Sequence, residues 1–139
     1  MLFVDTSFFF ALASLEDPDH ERVLEVFESL EGQNLQRLLV TTNHVVMETI
    51  RLARRNSGHA LAAEVGRSLY SEKMARIHVA SFEEEQQAFA LLVKHRDKDY
   101  SPVDCLSFVV MEKLGIPEAL TIDSDFTHRF VARPGPKAR

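Results

Sequence analysis

Strand-sized and helix-sized segments alternate along this chain, and that alternation restricts its fold more than any other feature. Leu2 to Val4 is a short apolar run that ends at Asp5, and Arg37 to Thr42 (RLLVTT) has strand length and β-branched content. Ala75 to Ala80 (ARIHVA) alternates weakly, and Ala119 to Ile122 is a fourth short run, ending at Asp123. The stretches between them are long enough for helices. Parallel strands need such crossovers, so the pattern predicts an α/β domain with a mainly parallel central sheet covered on both faces, a three-layer α/β/α arrangement.

The intervening segments carry helix signals. Ser7 leads into the apolar stretch Phe8 to Ala13, and Asp17-Pro18 offers an N-cap and a first-turn proline for a helix that runs to Gly32. Asn43 is placed to cap a helix reaching about Arg55, and a further helix runs from His59 to Lys73. Ser81 with Glu84 forms a capping-box start for a helix to His95. Ser101-Pro102 opens a helix that is apolar nearly all round up to Leu114, which predicts burial on several sides, and Gly115 stops it. A last short helix is expected from Ser124 to about Val131.

With 139 residues, 45% of them hydrophobic, and no linker-like tract, the chain reads as one domain, 1–139, whose tail RPGPKAR is irregular from about residue 133. The N-terminal apolar run is broken by Asp5 and is too short to span a bilayer, so neither a secretory signal nor a membrane anchor is expected. The single Cys105 lies in an apolar run, which suits a buried thiol and a cytoplasmic location. A net charge of −5 argues against a generic nucleic-acid binder, unless bound metal neutralises some carboxylates and the bases are clustered.

Four acids stand at informative places. Asp5 and Asp123 end apolar strands, at the carboxyl edge where open α/β sheets form their sites. Asp104 opens the buried helix, and Glu48 lies at the edge of an apolar helical stripe. Three have a purely structural alternative: helix capping for Asp5 and Asp104, and a surface pair with Arg51 or Arg55 for Glu48. Asp125 reads as the N-cap of the last helix, and Thr121 or Ser124 as a hydroxyl able to hold a carboxylate or a water. If the four carboxylates meet within ~6 Å, each pair repels by roughly 0.7 to 2.8 kcal/mol, and a cation is needed to offset this. An all-oxygen donor set points to Mg²⁺ or Mn²⁺, ions suited to phosphodiester hydrolysis.

In order along the chain, VDTSFFFALA, NHVVMETIRL, SPVDCLSFVVMEKLGI and ALTIDSDF together resemble the PIN domain, especially the toxin ribonucleases of the VapC type. The resemblance implies a metal-dependent endoribonuclease whose catalytic and metal-binding residues are Asp5, Glu48, Asp104 and Asp123. It further implies Thr6 and Thr121 as supporting hydroxyls, leaves open whether Asp125 touches metal, and brings RNA as substrate, a small antitoxin as partner and a homodimer as assembly. A non-catalytic PIN-like RNA-binding module is the alternative from another class. An aspartyl-phosphate enzyme is disfavoured, because Ser7 stands where a second acid two residues after Asp5 would be expected.

Arg51, Arg54 and Arg55, together with Arg129, Arg133, Lys137 and Arg139, are candidate phosphate contacts or surface bases. The six histidines show no metal-ligand pairing and read as structural or surface residues. Phe8, Phe9 and Phe10 read as core and dimer contacts.

Overall fold

A computed structural model describes residues 1–138. Five strands, β1 (Leu2–Val4), β2 (Leu39–Thr42), β3 (Arg76–His78), β4 (Glu118–Thr121) and β5 (Val131–Pro134), form one sheet. Its order is β3-β2-β1-β4-β5, and every pairing is parallel. Seven helices cover it: α1 (Thr6–Ala13), α2 (His20–Glu28), α3 (Leu35–Leu38), α4 (Asn43–Ser57), α5 (His59–Tyr70), α6 (Phe82–Lys94) and α7 (Pro102–Leu114). The expected three-layer α/β architecture is the one observed. From β1 the chain winds outward through β2 and β3 on one side and continues through β4 and β5 on the other. The topological switch therefore lies between β1 and β4, where crevices open at the carboxyl edge.

β1 and β4 consist almost wholly of buried side chains, as strands covered on both faces must. Phe3, Val4, Val40 and Leu120 of the sheet share one core with Phe8 of α1, Val45 of α4, and Phe108 and Met111 of α7. The α7 helix buries Cys105, Leu106, Ser107, Phe108, Val110 and Met111, so it runs through the core, as its apolar sequence predicted. Gly115 ends it in the left-handed region at φ 68°, where a side chain would be strained.

Several element boundaries differ from those read in the sequence, each for a local reason. β2 begins at Leu39 because Asn34 caps the single turn of α3 with its side chain. Thr42, not Asn43, caps α4: its hydroxyl accepts from Val45 N at 3.1 Å, while Asn43 Oδ1 accepts from Ala80 N at 2.9 Å and ties the chain after β3 to α4. Asp17 takes the N–H of Asp19, so α2 starts at His20, and it ends at Glu28. α5 stops at Tyr70 and β3 is confined to three residues. The last helix is only a 3₁₀ turn, Ser124–His128.

The fifth strand was not expected. Val131 to Pro134 pairs with β4 from Glu118 to Thr121, so regular structure extends two residues into the segment read as an irregular tail. Arg22 fastens this edge by donating to Gly135 O at 2.8 Å, and Gly135 N donates to Thr121 O.

Candidate active site

Asp5 stands directly after the central strand, with its N–H donating to Leu120 O of the neighbouring strand. The same residue caps α1, so the capping role and the strand-end position coexist. Its Oδ2 accepts from Ser7 Oγ at 2.9 Å and from Thr121 Oγ1 at 2.9 Å. Ser7 Oγ in turn accepts from Ile122 N, and Thr121 Oγ1 from Asp123 N. This hydroxyl pair locks the ends of β1 and β4 together beneath the carboxylate. Ser7 is a member of the site that the sequence reading did not include among its candidates. The signal for it was available, because a hydroxyl two residues after an N-cap Asp is within reach of that carboxylate.

Asp104 occupies the third position of α7, in a full capping box with Ser101. Ser101 N donates to Asp104 Oδ2 at 3.1 Å and Asp104 N donates to Ser101 Oγ at 3.0 Å. Asp123 caps the 3₁₀ turn by accepting from Asp125 N at Oδ1, 2.9 Å away. The expectation that Asp125 would be that cap is therefore corrected: Asp123 does the capping, and Asp125 turns its carboxyl toward the other acids. Ligand oxygens of Asp104, Asp123 and Asp125 lie within 4.8 Å of one another.

Each of the three cap-forming acids is held by one oxygen. Asp5 Oδ2, Asp104 Oδ2 and Asp123 Oδ1 accept the protein's hydrogen bonds. Among the described residues, Asp5 Oδ1, Asp104 Oδ1 and Asp123 Oδ2 have no such donor. Fixed carboxylates with an oxygen to spare are what a cation site requires.

Electrostatics point the same way. Burial, opposed by the Ser7 and Thr121 hydrogen bonds and reinforced by the charge of Asp123, pushes Asp5 up to about 6. Burial and the nearby Asp5 charge push Asp104 up to about 7. Asp125 is also raised, by burial and then by Asp123. Without a cation these acids resist sharing their charge in so small a space.

Glu48 is half-buried on α4 and, like Asp5, is not in the close group of three. It lines a cleft with Asn43, His44, Met47, Arg51 and Val103, the residue before Asp104. No ion pair joins it to Arg51 or Arg55 among the described residues. Thr6 is buried, and its hydroxyl has no hydrogen-bond partner. Of the basic candidates, Arg129 pairs with Glu112 and lies over the Phe108 ring, and Arg133 pairs with Glu118 at 2.9 Å. Arg139 lies outside the described residues.

The PIN domain family model matches residues 2–129, and the chain belongs to the PIN-domain family. Its particular likeness is to VapC-type toxins. Over 127 residues it is 36% identical to the 23S rRNA-specific endonuclease VapC20 of Mycobacterium tuberculosis, in both strain CDC 1551 / Oshkosh and strain ATCC 25618 / H37Rv. The match covers 91% of this chain and 92% of the relative. The crystal structure of M. tuberculosis VapC20, described as a sarcin-ricin loop cleaving toxin, superposes with a TM-score of 0.83 at 34% identity, covering 92% of this chain and 94% of that one.

Proposed function

We propose that this protein is a VapC-type endoribonuclease toxin that hydrolyses a phosphodiester bond in a ribosomal RNA hairpin, using Mg²⁺ or Mn²⁺ held by Asp5, Asp104 and Asp123 with Asp125 and Glu48 alongside. The observation that carries this reading is the pattern of half-occupied carboxylates at the β1/β4 switch point: one oxygen of each is locked by the protein and the other is left for a ligand. The donor set is all oxygen and suits a hard cation. The unpartnered Thr6 hydroxyl next to Asp5 supports it, as a hydrogen-bonding group able to serve a coordinated water. The RNA target is proposed from the activity named for VapC20.

The residues divide the work. Asp5 is the most rigid acid, because Ser7 and Thr121 fix its rotamer through hydrogen bonds that also join the two strand ends. Asp104 is oriented by the start of α7, and Asp123 by the 3₁₀ turn that it caps. Together they set where a phosphate must sit for a water to attack phosphorus opposite the departing 3′ oxygen, leaving a 5′-phosphate. When bound, the cation would polarise the phosphate and make that water more acidic. Asp125 stands within 4.8 Å of Asp104 and Asp123, and Glu48 lines the neighbouring cleft with Val103.

The wider setting follows. Phe82, Phe89 and Val93 project from one face of α6 with 74%, 68% and 60% exposure. An apolar surface of this kind supports a homodimer. A small antitoxin is the expected inhibitor, and a ribosomal target places the enzyme in the cytoplasm. Among the described residues no helix is long and apolar enough to cross a membrane.

The test is incubation of purified protein with 23S rRNA and with an isolated sarcin-ricin hairpin, with Mg²⁺, Mn²⁺ or excess chelator, beside Asp5→Asn. Metal-dependent cleavage that the variant lacks is expected. RNA binding without cleavage under any metal would favour the non-catalytic alternative.

A further inference from the structure

A second cleft is lined by residues adjoining the segments that carry the acids. Its walls are the end of α6 with the loop that follows it, which bring Lys94, His95, Lys98 and Tyr100, and the end of the 3₁₀ turn, which brings His128 and Arg129. We propose that this cleft is a phosphate-binding subsite that holds the RNA backbone beside the phosphate being cleaved. The proposal rests on the ribonuclease reading of the acidic site and adds a substrate-positioning surface to it.

Continuity is the first argument. Both segments that supply acids also supply the cleft: Tyr100 directly precedes Ser101, the cap that orients Asp104, and the turn that starts at Asp123 and Asp125 ends at His128. A strand whose phosphate lies at the acids thus meets this cleft within a few residues of protein. A bound cation would neutralise only the phosphate at the acids, so a neighbouring phosphate needs protein cations of its own.

Chemistry is the second. Tyr100 is only 8% exposed, yet its hydroxyl lies 2.9 Å from His128 Nδ1, and its ring is wedged edge-on against Phe108 at 5.0 Å and His95 at 5.8 Å. With Nδ1 taken by the tyrosine hydroxyl, a neutral His128 ring that accepts there carries its proton on Nε2, a donor left for a ligand. Lys94 has no acidic partner within 4 Å among the described residues, and Lys98 is only loosely paired, 3.8 Å from the exposed Asp97. Arg129 is engaged by Glu112 and contributes charge more than free donors. The Tyr100 ring is buried and offers no face for stacking. The cleft therefore suits sequence-independent backbone contacts rather than bases. The carboxylates of Asp97 and Asp125 also face this region, so Lys94 and Lys98 are the cations that a neighbouring phosphate would recruit there.

The experiment compares wild type with the double variant Lys94→Glu/Lys98→Glu and with His128→Gln, all at solvent-facing positions, after melting curves confirm that they fold. Cleavage of the same RNA hairpin is followed across a salt series. For the double variant KM should rise about tenfold with kcat unchanged, and the salt slope of kcat/KM should become shallower by roughly 1.4, at ~0.7 per lost single-strand phosphate contact. His128→Gln should raise KM several-fold. Unchanged KM and slope would overturn the subsite while leaving the nuclease reading intact, and would leave the lysines to an acidic protein partner. If wild type cleaves nothing, the nuclease reading fails by itself, and fluorescence anisotropy with the same hairpin decides the subsite: weaker binding by the double variant supports it, and equal binding overturns it.

Discussion

Asp5 keeps only 2% of its surface exposed and has lost the water that would ordinarily stabilise its charge. Its pKa of about 6 and that of Asp104, about 7, both lie above the usual 3.8. An acid raised in the folded state contributes stability below its unfolded value, and loses that contribution as pH climbs through the folded value. Metal-free protein should therefore lose stability between about pH 4 and pH 7 from these two groups, with Asp5 alone accounting for something on the order of 3 kcal/mol. A divalent cation should restore it, so the rise in melting temperature on adding Mn²⁺ should be much larger at pH 8 than at pH 5. Asp5→Asn should flatten both trends. Equal metal-induced shifts at the two pH values would contradict the assignment. Sequence placed Asp5 and Asp123 well because each terminates an apolar run, an unambiguous break. It misjudged Asp125, because the 3₁₀ turn begins at Ser124, which puts Asp123 at the cap and Asp125 inside the turn.

At the level of elements, α7 joins the core to the site. Its capping box holds Asp104, so Ser101→Ala should cost about 1 kcal/mol in denaturant melts and also weaken metal affinity, since Asp104 loses the hydroxyl that fixes its backbone. Retained metal affinity would show that the cap does not orient the carboxylate. The α6 start is built differently. Burial alone would raise Glu84, but Ser81 N–H, His78 and Lys113 outweigh it and hold the carboxyl down at about 2. Here the folded value lies below the usual 4.5, so the stabilisation is present above that pH and disappears as pH falls toward 2. Glu84→Gln should cost roughly 2–4 kcal/mol at pH 7 and reduce the acid sensitivity of unfolding. Both capping boxes were legible because their signature is local. β5 was not: VARP has neither apolar alternation nor strand composition, and it pairs with β4 on a sheet edge that tolerates proline, in a register that sets Arg133 against Leu120 and lets its side chain reach diagonally to Glu118. Glu48 entered the candidate site by resemblance and by its stripe-edge position, and only packing of α4 beside α7 shows that it flanks the three close acids rather than joining them.

Across the whole molecule, one sheet brings residues from opposite ends of the chain together, Asp5 with Thr121 and Asp123, because β1 and β4 are neighbours at the switch point. That long-range closure was inferable from alternating elements. The basic cleft was not, since Lys94, Lys98 and His128 are ordinary surface residues until the fold assembles them. The exposed face of α6 carries its own expectation: Phe89→Glu should convert a sedimenting dimer to a monomer, whereas an unchanged sedimentation coefficient would move the interface elsewhere. The central claim, that these acids are arranged for a cation, is tested most directly by a Mn²⁺ binding isotherm on wild type and Asp104→Asn at pH 7.5. Saturable binding to wild type, weakened by at least about tenfold in the variant, is the expected result. Equal binding by the two proteins, or no saturable binding by wild type, would contradict it.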